Sequence, residues 1–60
     1  MGEAMHYMGY MALKVTHNDI PIWNITMNGE NVLKMAYYDT SMENIRTFTE
    51  IINELVSNHN

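Results

Sequence analysis

Residues 20–38 read IPIWNITMNGENVLKMAYY, and the fold turns on how that stretch doubles back on itself. Asn28-Gly29 lies between two runs rich in β-branched and aromatic residues. Asn-Gly is the strongest short-range hairpin signal, because both residues of a tight turn must take positive φ. One strand is therefore expected from Ile20 to Met27 and another from Val32 to Tyr38. Side chains alternate faces along a strand, so a slip of one residue inverts all of them. A two-residue loop carried straight into the ladder sets Trp23 against Lys34 and Ile25 against Val32. A three-residue loop with Gly29 in a bulge instead puts Trp23, Ile25 and Met27 on the same face as Leu33, Met35 and Tyr37. The odd-length loop is the expectation. Pro21 cannot donate to a ladder, which suits the first residue of a strand or an edge but not a central ladder position, and the strand that carries it is expected to be an edge with some unpaired length.

On the N-terminal side, Tyr10 to Thr16 alternates Met11, Leu13 and Val15 with Ala12, Lys14 and Thr16, the pattern of a half-buried strand. His17-Asn18-Asp19 supplies the turn that follows. Residues 1–9 carry Gly2 and Gly9 and sustain neither period, so they are read as a flexible leader or an extra element ahead of a single domain over residues 10–60.

On the C-terminal side, Asp39-Thr40-Ser41 stops the sheet, and Thr40 with Glu43 has the form of a capping box. Apolar residues at spacings of three and four then run from Met42 through Val56, with Ile45, Phe48, Ile52 and Leu55 expected to hold a helix to the sheet. Glu43, Glu50 and Glu54 mark the opposite, solvated face. The resulting class is α+β: a three-stranded antiparallel sheet followed by one amphipathic helix, β-β-β-α, in two layers.

Sixty residues hold one domain. A chain of that size buries only roughly 60% of the surface it exposes when unfolded, so help from outside its own core is expected. The absence of cysteine removes disulfides and the commonest zinc ligands. Association remains. No apolar run reaches the ~20 residues of a membrane span, and no charged leader precedes an apolar segment, so the expectation is a soluble, cytoplasmic protein. Seven acidic residues against three basic ones give a charge of −4, which repels phosphate backbones and disfavours nucleic acid as a partner.

Candidate chemistry is sparse. His6, His17 and His59 stand apart from one another and from any helical carboxylate pair, so no metal ligand is assigned. Ser41 fits a helix start and Ser57 a helix end, neither beside a base, so no nucleophile is assigned. Gly2, Gly9 and Gly29 are isolated, so no phosphate loop exists and no cofactor is implied. An enzyme is not expected.

What remains is surplus apolar surface. One helix covers one face of a sheet, and alternation assigns Ile22, Val32, Ala36 and Tyr38 to the face it leaves open. That patch, together with the acidic stripe of Glu43, Glu50 and Glu54, forms the candidate interaction surface. The expectation is a small non-enzymatic interaction protein, homodimeric at micromolar concentration, that acts by binding a larger protein, inhibition being one outcome of such binding. In size and in its lack of a site the chain resembles, in general character, the accessory proteins of viruses and mobile elements that block host machinery, a likeness of type that rests on no motif. Two alternatives belong to other classes. A dimeric transcriptional or nucleic-acid-associated regulator would need Lys14 and Lys34 on one surface. A small-ligand module would need a pocket between subunits.

Overall fold

The computed structural model describes residues 3–58, so the expectations that touch Met1, Gly2, His59 and Asn60 lie outside it. Four strands form one antiparallel sheet in the order β1-β2-β3-β4, with β1 at Ala4–Tyr7, β2 at Tyr10–His17, β3 at Ile20–Met27 and β4 at Glu30–Ala36. Helix α1, Ser41–Ser57, packs on one face. The α+β class with a C-terminal helix holds, but the sheet has four strands rather than three.

The additional strand is the correction that matters most. β1 came out of a segment with no recognisable turn, because Met8-Gly9 does what Asn-Gly ordinarily does: Met8 adopts φ 52° and Gly9 φ 83°. All three hairpins use this device, with Asn18 and Asp19 at φ 52° and 65° and Asn28 and Gly29 at 54° and 83°. Two consecutive positive φ values give a turn whose twist matches that of the strands it joins.

The Asn28-Gly29 loop is accordingly two residues long, since Met27 pairs with Glu30, and the odd-length expectation is wrong as to the loop. Its face assignment nevertheless survives for Trp23 and Ile25. The register shifts between Ile25 and Thr26: Thr26 pairs with Asn31 while Ile25 pairs with Leu33, leaving Val32 as the extra residue of a β-bulge. Trp23 therefore meets Met35, and Lys34 is turned away from it.

Pro21 sits on an inner strand, contrary to the edge expectation. It pairs with Thr16 of β2, while β4 pairing ends at Ile22 with Ala36. Hydrogen-bonding direction alternates along an antiparallel strand, so the missing N–H points to the β4 side beyond the last paired residue, where no partner waits.

The core consists of Ala12, Trp23, Ile25, Met35, Phe48 and Ile52, with Met5, Tyr7, Leu33 and Leu55 packed around it. Phe48, Ile52 and Leu55 hold the helix as expected, but Ile45 does not: it is 54% exposed. Asn44, four residues before Phe48 on the same stripe, is buried in its stead. Thr40 caps the helix, its Oγ1 accepting from the Glu43 amide at 3.2 Å. The reciprocal arm of the capping box is not made, because the Glu43 carboxylate turns instead to the Arg46 guanidinium at 2.7 and 2.8 Å.

Between β4 and α1 the chain crosses the sheet on the helix side. Tyr37 stacks on Trp23 with ring centroids 5.3 Å apart, and its hydroxyl donates to Glu3 at 2.9 Å. The helix thus begins near Glu3 and runs along β1, and Asn53 farther along it accepts a 2.9 Å bond from the Tyr7 hydroxyl. The helix is seated toward one side of the sheet, over its β1 edge.

Candidate functional site

Two surfaces are left by this arrangement. The first is the sheet face turned away from α1. Register places Val15, Ile22 and Ala36 in one row across it, with Leu13 in the row beside them. Leu13 is 39% exposed and Ile20, at the corner, 62%. Met11, paired with His6 and Thr26, also lies on this face, and polar groups border the apolar rows: Asn24 donates to Asn31 at 2.9 Å, and Lys34 stands next to that pair.

Of the residues assigned to this face from the sequence, Ile22 and Ala36 lie on it, and Val32 is exposed at the bulge. Tyr38 does not belong there. It follows the end of β4, packs half-buried against the core, and is held by Asn44, whose Oδ1 accepts from the Tyr38 amide at 2.7 Å while its Nδ2 donates to the Tyr38 carbonyl at 3.0 Å. Sequence reasoning missed Leu13 and Val15 as surface residues. Strict alternation marks a strand without saying which side is covered, and here the small Ala12 takes the covered side because Trp23 and Ile25 of the neighbouring strand fill the space above it.

The second surface runs along α1. Glu43 is half-buried, and Glu50 and Glu54 are exposed. Arg46 lies 2.7 Å from Glu43 and 3.4 Å from Glu50, so two of the three carboxylates share one guanidinium. The hydrogen bond from Arg46 holds the Glu43 carboxyl below its ordinary value; desolvation opposes that shift, and the Arg46 charge reinforces it.

The lysines do not converge. Lys14 lies on the helix side, 4.6 Å from the centroid of the Tyr37 ring and 3.6 Å from the Glu3 carboxylate, whereas Lys34 lies on the opposite face. A single chain therefore offers no shared track for phosphates. Among the described residues no three acidic or histidine side chains come together at metal-binding distances, and no helix is long and apolar enough to cross a membrane. Among the described residues, three concave features are open grooves. One of about 280 Å³ lies by Trp23, Ser41 and Asn44, one of about 340 Å³ runs along β1, and one of about 370 Å³ crosses the open face by His17 and Lys34.

No family model matches this chain, and no curated protein or solved structure does either. What it can do has to be read from its own surfaces.

Proposed function

We propose that the protein is a small, non-enzymatic, self-associating interaction protein of the cytoplasm that acts by occupying a surface of a larger protein. The observation that carries this reading is the uncovered sheet face, where Leu13, Val15, Ile22 and Ala36 form an apolar patch bordered by Asn24, Asn31 and Lys34. An apolar centre with a polar rim is the anatomy of protein interfaces, and monomeric domains rarely leave such a centre in water. The small core gives association a second role, since a partner that binds only the folded state stabilises it. Inhibition of the partner follows where the occupied surface is its working one.

Ile22→Glu supplies the test. A charge in the middle of the patch should abolish partner capture while leaving the helix side of the sheet intact. The tagged wild type and this variant are exposed to lysate of the native host, and proteins retained by one and not the other are identified by mass spectrometry. Identical capture by both would refute the reading.

A further inference from the structure

Resting on the self-association just proposed, we infer that two copies pair through β1, edge to edge and antiparallel about Met5, so that their sheets join into one of eight strands. The backbone direction of β1 comes first. The Lys14 amide donates to the Glu3 carbonyl at 3.3 Å, so Glu3 faces β2. By alternation Met5 and Tyr7 also face β2, and Ala4 and His6 turn their amides and carbonyls outward to the free edge.

The two edges of the sheet are treated differently. β4 carries Glu30, Lys34 and the bulge at Val32, the devices by which natural edges resist pairing. β1 reads AMHY, with no charged residue, no proline and no bulge. Its outward groups line the groove of about 340 Å³, whose other wall is Ile45, Phe48 and Thr49 of the helix.

The choice of a second copy over a foreign strand follows from the helix. Ile45, 54% exposed, lines both grooves beside β1, and Met42, 78% exposed, stands one helical turn before it on the same flank of α1. A lone extended strand could satisfy the amides of Ala4 and His6 but would leave that flank in water. A second copy related by a two-fold axis brings its own identical flank across the seam, and the pair of flanks closes over the two Met5 side chains. In this register Ala4 meets His6 of the other copy. The two Glu3 residues fall at opposite ends of the seam, roughly 14 Å apart at ~3.4 Å per residue, farther than the ~10 Å screening length at 0.1 M salt. Glu43, Glu50 and Glu54 lie away from the seam, on the other side of the helix. A seam this short belongs to the small interface class, under ~1,200 Å² in all, so exchange at micromolar concentration is expected.

Because the chain contains no cysteine, single introduced thiols report the geometry. Paired strands bring opposed residues within disulfide reach, and Met5 would oppose itself. Met5→Cys, mildly oxidised at micromolar concentration, should yield a linked species of about 14 kDa, twice the 7.0 kDa of one chain, whereas Leu13→Cys on the open face should stay unlinked. His6→Pro removes an outward amide that the β1–β2 ladder does not use, and it should shift the wild-type assembly toward single chains. If Met5→Cys fails to fold by circular dichroism, Ile45→Asp on the exposed flank takes its place and should dissociate the dimer. Cross-linking of Leu13→Cys but not Met5→Cys overturns the inference in favour of stacked faces. A two-chain wild-type mass that both His6→Pro and Ile45→Asp preserve also overturns it, while self-association stands. A single-chain mass for the wild type overturns the self-association reading itself and leaves the β1 edge to an extended strand of another protein.

Discussion

Replacing Asn44 by Leu should cost about 3 kcal/mol, although it exchanges a polar side chain in the core for an apolar one of similar size. Asn44 is 4% exposed, and it accepts from the Trp23 indole at 3.0 Å and from the Tyr38 amide at 2.7 Å while donating to the Tyr38 carbonyl. Each bond contributes about 1 kcal/mol net, and a buried donor left without a partner costs about 1–3 kcal/mol. Trp23 is 2% exposed, so its N–H would be stranded, whereas the half-buried Tyr38 groups recover some water. A chain of this length has roughly 3–9 kcal/mol of stability in total, so the variant should sit near the edge of folding. Trp23 is the only tryptophan, and its fluorescence follows urea unfolding directly. Trp23→Phe alone and combined with Asn44→Leu completes a double-mutant cycle read by circular dichroism. A coupling of about 1 kcal/mol or more is expected between groups that share a bond. An Asn44→Leu variant within about 0.5 kcal/mol of the wild type, the range of ordinary surface changes, would refute the reasoning.

Three further outcomes follow from the structure. Met8→Asn should stabilise the β1–β2 hairpin by about 0.5–1 kcal/mol, since Asn tolerates the left-handed φ of 52° better than Met, and thermal unfolding should rise by a few degrees; an unchanged midpoint contradicts the turn assignment. Phe48→Ala should cost about 3–5 kcal/mol and abolish cooperative unfolding at ambient temperature, while Ile45→Ala, measured on the single chain at high dilution, should stay within about 0.5 kcal/mol, and equal losses would mean the helix is seated differently. The Glu43 carboxyl should titrate below its ordinary 4.5 and move upward in Arg46→Gln. A lowered folded-state value stabilises above the unfolded one and is lost as pH falls through the folded one, so the pair's contribution is complete and constant above about 4.5 and falls away below it. NMR titration that finds no movement in the variant removes the Arg46 pairing.

The legible part of the fold was the part written in strong local signals. Asn28-Gly29, the β-rich runs around it and the Thr40 cap each needed only neighbouring residues. Met8-Gly9 was illegible because methionine gives no turn signal, and its positive φ is imposed by the pairing of β1 with β2. The bulge at Val32 was half legible: the need to put Trp23 and Met35 on one face demanded one extra residue, but nothing in the local residues said whether it lay in the loop or beyond it. Asn44 offered a signal that periodicity passes over, a polar residue on the Phe48–Ile52 stripe in a chain whose one tryptophan needs an acceptor once buried. For the candidate surface, Ile22 and Ala36 followed from alternation. Tyr38 did not, because alternation stops where the strand stops, and the residue lies past Ala36 in the grip of the helix.

The most direct test of the account is the mass of the wild-type protein in solution, by light scattering coupled to size exclusion across the micromolar range. An open sheet face and a bare β1 edge predict a mass rising with concentration toward about 14 kDa, twice the 7.0 kDa of one chain. A mass of one chain at every concentration would contradict it.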